Sequence, residues 1–316
     1  MPEQGVFRTV AVGVGINNFS GFVAGQLHQL PIAGDIGYLQ VEGDAALLRS
    51  FEIAGTTQFE VGLCYLKAVV GVAHNIDALL LPLRSPSVSD VLDCASFLGV
   101  RGLAVTVPHK EAVIPELIKL DAEAQAIGAC NTVVRTDEGW TGCNTDAYGF
   151  QTALLRFLGV KKLRHRRVAV IGAGGAAKAV AYVVQSLGAK ACIFNRTLSH
   201  AKALAERYGF DYAPLGPEAA KKIEKYADII VQTTSKGMNS DGQASKDGDP
   251  LYFYQFTGTE TVFDLVYVPA VTPIMARAAE AGCKTCNGAE MLKYQGYRQF
   301  KIITGIDYGA ECERLC

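Results

Sequence analysis

Val168-Ala-Val-Ile171-Gly172-Ala-Gly174-Gly175-Ala176-Ala177 is the stretch on which the fold turns. An unbroken apolar run feeds directly into closely spaced glycines, and these open a helical stretch, Gly175–Leu187. A bare glycine pattern would be weak, but with a strand before it and a helix after it the pattern describes a dinucleotide-binding turn. Gly172 allows the tight turn, and Gly174 lets the backbone approach a pyrophosphate. Gly175 and Ala176 stand beside it at the positive end of the helix, and Ala177 permits close helix–strand packing. The plain alternative is a glycine-rich turn with no ligand.

Downstream of this turn the rhythm of short apolar strands and amphipathic helices continues. Lys190–Asn195, Ile229–Thr233 and Thr261–Asp264 read as strands, Ser199–Tyr208 as a helix, and Gly237–Gly248 as a surface loop. Apolar strands alternating with helices imply a parallel sheet covered on both faces. The end of the second strand selects the cofactor. An NAD site places Asp or Glu there to hold the ribose 2′-hydroxyl, about 20 residues on from the turn. This chain has Asn195-Arg196-Thr197 instead. A guanidinium that can fork onto a phosphate, with a hydroxyl beside it, favours NADP over NAD. Arg196 could also be an ordinary solvated arginine.

Upstream, the first half is less regular. Strands are expected at Phe51–Ala54, Ala78–Leu83, Gly102–Val107 and Thr132–Arg135, with a turn at Asp137–Gly139. Helices are expected at Leu63–Val72, Ser87–Leu98, Ile114–Leu120 and Ala122–Ile127, and one from Asp146 to Leu158 that connects the halves. Residues 1–50 hold short apolar runs, Thr9–Ile16 and Gly37–Val41, and no motif. The whole chain of 316 residues is long enough for two domains, each with its own core.

Composition removes several classes of function. Thirty basic and 31 acidic residues leave a net charge of −1, without the clustered cations that duplex binding requires. The basic run Lys161-Lys162-Leu-Arg164-His-Arg166-Arg167 reads as a solvated loop before a buried strand. No cleavable leader is expected, and the most membrane-like stretch, Val168–Val184, is interrupted by Lys178 and rich in glycine. Nine scattered cysteines suit the reducing cytoplasm, and Cys283-Lys-Thr-Cys286, with no second pair, argues against a metal site.

Three compact motifs precede the nucleotide turn: Val105-Thr106-Val-Pro108-His-Lys110, Gly128-Ala-Cys-Asn131-Thr132 and Gly142-Cys-Asn144-Thr145-Asp146. Singly each is bland, since Lys110 could be solvated and Asp146 could cap the connecting helix. Three more follow: Gln232-Thr233-Thr-Ser235-Lys-Gly237-Met238, Phe263-Asp264-Leu-Val-Tyr267-Val-Pro269 with Thr272-Pro273, and Asn287-Gly288-Ala-Glu-Met291-Leu292 with Gln295. In this order, from about Phe51 to Gly305, they resemble the shikimate dehydrogenase family.

That resemblance implies an α/β fold. An N-terminal α/β substrate domain, 1–149 completed by 286–316, would join a Rossmann NADP-binding domain, 150–285, with the active site in the cleft between them. It implies an NADP-dependent dehydrogenase moving a hydride reversibly between the cofactor and shikimate/3-dehydroshikimate or a related cyclic hydroxy acid. Such an enzyme would belong to aromatic amino acid biosynthesis and act on a small molecule as a cytoplasmic monomer or homodimer. By the matching positions Lys110 would exchange the proton of the reacting hydroxyl, and Asp146 would orient the lysine. Asn131 and Gln295 would bind other ring hydroxyls, with Thr106 and Tyr267 completing the substrate pocket. Thr233 would lie near the nicotinamide ribose and Gly288 against the nicotinamide amide.

The pattern breaks in one place. The family carries a His-Ser-x-Ser-Pro run whose hydroxyls hold the substrate carboxylate, and here the aligned residues are Glu60-Val61-Gly62-Leu63-Cys64. An asparagine usual two residues before Thr106 is Ala104, and a frequent second basic residue near the ribose is His200. Hydrogen bonds to a charged group contribute about 1.5–3 kcal/mol each, so these losses would weaken shikimate binding. A register shifted by a few residues would leave Thr56, Thr57 or Gln58 to supply the donors instead. In these departures the chain resembles divergent members called shikimate dehydrogenase-like. A second reading is a ligand-sensing or regulatory homologue that keeps the fold without useful turnover. The presence of both Lys110 and Asp146 argues for chemistry, because binding alone does not require that pair.

Overall fold

The computed structural model describes residues 9–15, 78–84, 87–238 and 248–307. The expected strand Phe51–Ala54, helix Leu63–Val72 and run Gly37–Val41, the Glu60–Leu63 pocket segment and most of the 237–248 loop lie outside them.

Within the first half, short strands pair antiparallel. Strand β1 (Thr9–Gly15) lies between β2 (Ala78–Arg84) and β3 (Gly102–Ala104), antiparallel to both. Between β2 and β3 runs α1 (Val88–Phe97), started by Ser87, whose hydroxyl accepts from Asp90 N at 3.2 Å. Its apolar face buries Val91, Leu92 and Ala95. After β3 come α2 (His109–Ala112), β4 (Lys119–Leu120), α3 (Ala122–Ile127), β5 (Thr132–Thr136) and β6 (Gly139–Cys143). The strand order in this sheet is β2-β1-β3-β5-β6-β4.

Two expectations are corrected here. The strand expected over Gly102–Val107 ends at Ala104, because Thr106 O takes the His109 amide at 2.8 Å and Pro108 has no amide to continue a ladder. The helix expected over Ile114–Leu120 is a single 3-10 turn, Ile114–Glu116, with Pro115 in its first turn. Leu117 is extended, and Ile118 N donates to Trp140 O at 2.9 Å, so the tail of that segment becomes β4.

The second half is wound regularly. After α4 (Asp146–Leu158) come β7 (Arg167–Ile171), α5 (Gly175–Ser186), β8 (Lys190–Asn195), α6 (Leu198–Tyr208), β9 (Asp211–Pro214), α7 (Ala220–Lys225), β10 (Ile229–Gln232), β11 (Thr261–Asp264), α8 (Pro273–Glu280), β12 (Lys284–Cys286) and α9 (Ala289–Thr304). All six strands are parallel, in the order β12-β11-β10-β7-β8-β9. Val170, Ile193, Phe194, Ile230, Val231 and Phe263 are fully buried, as strands covered on both faces must be. Chain order reverses between β7 and β10, and in such sheets ligands bind outside the carboxyl ends of the strands at that point.

Two compact units divide the described residues. One holds the residues up to Lys119, Thr132–Gly142 and those from Gln299 on; the other holds Leu120–Asn131 and Cys143–Arg298. These seams differ from the 149/150 and 285/286 seams that the sequence suggests. Packing explains the difference. Phe150 of α4 meets the Phe263 ring edge-on at 5.4 Å, and Arg156 of α4 donates to the Tyr294 hydroxyl of α9 and lies over its ring. The connecting helix and most of α9 are therefore part of the core around the parallel sheet.

Candidate active site

Gly172 leaves β7 at φ 114°, in a region that favours glycine, and its amide donates to Phe194 O at 2.7 Å. A side chain there would collide with Thr233. Thr233 itself is tied to the end of β7, since both its amide (2.9 Å) and its hydroxyl (2.7 Å) donate to Ile171 O. Gly174 is the N-cap of α5, exposed, with no side-chain cap and nothing within 4 Å of where a Cβ would stand. The first amides of a helix have no partner within it, so this open end fits a pyrophosphate. Gly175 and Ala176 follow in the first turn, half-buried.

At the end of β8, Asn195 Nδ2 donates to Thr197 O at 3.0 Å and shapes the turn into α6. Arg196, Thr197 and His200 are all exposed there, and Arg196 makes no ion pair among the described residues. A solvated guanidinium with no carboxylate paired to it among the described residues fits a 2′-phosphate.

A buried network that the sequence reading did not single out organises the next two loops. Gln232 and Asp264 are paired neighbours at the ends of β10 and β11, both fully buried. Gln232 Nε2 donates to Thr234 O (3.0 Å), Lys236 O (3.1 Å) and Asp264 Oδ1 (3.3 Å), and its Oε1 accepts from Thr234 N at 2.5 Å. Asp264 also accepts from Val266 N at 2.9 Å and from the Thr272 hydroxyl at 2.6 Å. Burial pushes its carboxyl up to about 7, against the opposing pull of those hydrogen bonds. The network thus holds both the Thr233 loop and the loop carrying half-buried Tyr267. Gly288 docks on the latter: its amide donates to Val266 O at 3.1 Å, and a Cβ would collide with Leu265 O. The signal in the sequence was Gln232 and Asp264 closing their strands, but no local pattern tells that two strand ends will be neighbours.

Three of the residues expected at the substrate or in catalysis, Asn131, Asp146 and Gln295, meet around Asn131. Its Nδ2 lies 2.9 Å from Asp146 Oδ1, 3.0 Å from Thr145 Oγ1 and 3.1 Å from Gln295 Oε1, while its Oδ1 accepts from Thr145 N at 2.8 Å. Asn144, quoted in its motif without a role, donates to Ala129 O at 2.8 Å and accepts from Ala147 N at 3.2 Å. These bonds hold the start of α4, so Asp146 is presented from the first turn; the preceding Thr145 is the N-cap. Asn131 and Asp146 are buried, and both belong with Gln295 to the unit containing the parallel sheet.

Lys110 and Thr106 belong to the other unit. Lys110 lies on α2, half-buried, one turn after half-buried Thr106. Ala104 is buried in β3, paired with Thr132 of β5, and Gln299 donates to the Thr132 hydroxyl at 2.8 Å. Val61 and Leu63 are outside the described residues. Among those described, no group of His, Cys, Asp or Glu could hold a metal ion, and no helix is long and apolar enough to cross a membrane.

Comparison with known proteins follows the same outline. The family model described as shikimate dehydrogenase substrate binding domain matches residues 67–133, and that of shikimate / quinate 5-dehydrogenase matches residues 156–240. The chain is 36% identical over 227 residues to the shikimate dehydrogenase (NADP(+)) of Syntrophobacter fumaroxidans, covering 72% of this chain and 77% of that protein. Among solved structures it is similar to a shikimate dehydrogenase in complex with NADP+, with TM-score 0.68, 29% identity and coverage of 80% of this chain and 88% of that one. It is also similar to the shikimate 5-dehydrogenase of Thermus thermophilus in complex with NADP(H) and shikimate, with TM-score 0.64, 30% identity and coverage of 79% and 91%.

Proposed function

The chain belongs to the shikimate dehydrogenase family, and on that premise we propose that it interconverts shikimate and 3-dehydroshikimate, or a closely related cyclic hydroxy acid and its ketone, with NADP. It is an NADP-dependent oxidoreductase. The observation that carries the reading is the cluster of Asn131, Thr145, Asp146 and Gln295, built into the same unit as the glycine-rich turn. Four polar side chains are ordered there for a polyhydroxylated ligand. The regulatory alternative has no support among the similar proteins, which are named as dehydrogenases or, in one case, as a reductase.

NADP, when bound, supplies the hydride chemistry. Gly172, Gly174, Gly175 and Ala176 receive its pyrophosphate, and Asn195, Arg196 and Thr197 its 2′-phosphorylated ribose. Thr233 and Gly288 border its nicotinamide end. Lys110 takes the proton of the ring hydroxyl as the carbon gives up hydride, and returns it in the reductive direction. Asp146 orients the lysine. Asn131 and Gln295 hold neighbouring hydroxyls, and Thr106 and Tyr267 close the pocket. By function, residues 1–149 completed by 286–316 form the substrate domain and 150–285 the cofactor domain, with Gly288 and Tyr267 serving the other domain's ligand. We assign the protein to the cytoplasm, in line with nine scattered cysteines that suit a reducing compartment.

The test is a panel of shikimate, quinate and analogues lacking the carboxylate, each assayed with NADP and NAD. Turnover with NADP on a carboxylate-bearing ring is expected. No turnover on any member overturns the reading.

A further inference from the structure

Helix α3 spans six residues, too few to be stable alone, yet it carries the chain straight into Asn131. Its start is capped by Asp121, which accepts from Ala124 N at 2.6 Å. Its end is held from outside. The last carbonyls of a helix have no partner within it, and here three are taken up by side chains of the nucleotide-binding helices. Lys178 Nζ of α5 donates to Gly128 O at 3.3 Å. From α6, Arg207 donates to Gln125 O at 2.6 Å and the Tyr208 hydroxyl to Ala126 O at 3.1 Å. The Arg207 guanidinium also fills the space a side chain at Gly128 would need. Two cations at a helix carboxyl end are favoured by its dipole as well as by the bonds themselves. Lys178 stands in the first turn of α5, where a cation gains nothing from the dipole of its own helix, so its contribution is made on α3.

We propose that Lys178 and Arg207 are positioning residues for substrate binding: by clamping the carboxyl end of α3 they fix the Gly128–Asn131 turn and so aim the Asn131 amide. This rests on the role given above to Asn131. The helix whose first turn receives the cofactor also holds, through Lys178 at the end of that turn, the segment that reads the substrate. Both cations act through the α3 carbonyls and not on the substrate itself. Their loss loosens Asn131 without removing a group from the reaction.

The experiment uses the full chain with Lys178→Met, Arg207→Met, the double variant and Lys178→Arg. For the double variant, the KM for shikimate rises about tenfold, or about 1.4 kcal/mol, with kcat and the NADP dissociation constant nearly unchanged. Lys178→Arg, which can still reach the carbonyl, stays close to wild type. Hydrogen exchange of peptides covering 120–131 quickens in the double variant, while strands β7 and β10 remain protected as in wild type. That exchange readout needs no turnover, so it decides the clamp even if shikimate proves not to be the substrate, a failure that the substrate panel shows separately. Unchanged exchange at 120–131 overturns the proposal, whatever the kinetics. A rise in the NADP dissociation constant in step with the KM overturns it too, because the cations then act on the cofactor.

Discussion

Lys110 is half-buried on a four-residue helix and carries the proton-transfer role in the proposed reaction. A lost general acid–base costs turnover rather than cofactor affinity, so Lys110→Ala should lower kcat by about 100-fold or more. Steady-state rates alongside an NADP titration check this, and unchanged turnover removes Lys110 from the mechanism. Arg196 is argued from the opposite situation, an exposed cation with no ion pair among the described residues. NADP should bind at least several-fold more tightly than NAD, and Arg196→Ala should bring the two together by weakening NADP alone. Calorimetric titration of both cofactors tests it. Equal affinities in the wild type would mean that Asn195 and Thr197 bind a plain ribose.

The ends of β10 and β11 act as one element, because Gln232 and Asp264 are bonded side by side and share the loops beyond them. Asp264 is the titrating member. Its carboxyl is pushed up to about 7 by burial, whereas in the unfolded chain it titrates at about 3.9. Between those values the folded state holds a proton that the unfolded state has released. The stabilisation is therefore complete below about pH 4 and is lost as pH rises through about 7. Melting temperatures of wild type and Asp264→Asn, measured from pH 5 to 8, should diverge, with the wild type falling more steeply from pH 5 to about 7 and levelling off towards pH 8. Parallel curves would mean that Asp264 stays ionised throughout this range.

For the molecule as a whole, the departure at Glu60-Val61-Gly62-Leu63 bears on what the enzyme prefers. If Val61 and Leu63 stand where hydroxyls hold a carboxylate, shikimate should bind weakly and show a high KM. Restoring Ser at both positions should lower that KM by roughly tenfold or more, since each donor to a charged group contributes about 1.5–3 kcal/mol. Turnover at saturation should change less, because Lys110 and Asp146 lie on other segments. A wild type with ordinary micromolar affinity for shikimate would show that Thr56, Thr57 or Gln58 supplies the donors.

What could be read from the chain alone was whatever is encoded within a few consecutive residues. Val168–Ala177 specified a strand, a turn and a helix because apolar run, glycines and small residues each act locally, and the parallel sheet around it followed from the repeating pattern. Helix α4 was legible to the residue for the same reason. Ile114–Leu120 was not: its apolar spacing suits a helix, but Pro115 and the ladder bond from Ile118 to Trp140 make its tail a strand, and that partner is distant in sequence. Tertiary structure alone decided that Asn131, Asp146 and Gln295 share one hydrogen-bonded cluster, that Gln232 meets Asp264, and that Lys178 and Arg207 reach the end of α3. Each of these joins side chains through space, and a buried polar group takes whichever partner the packed backbone brings to it, at a separation that no local pattern records.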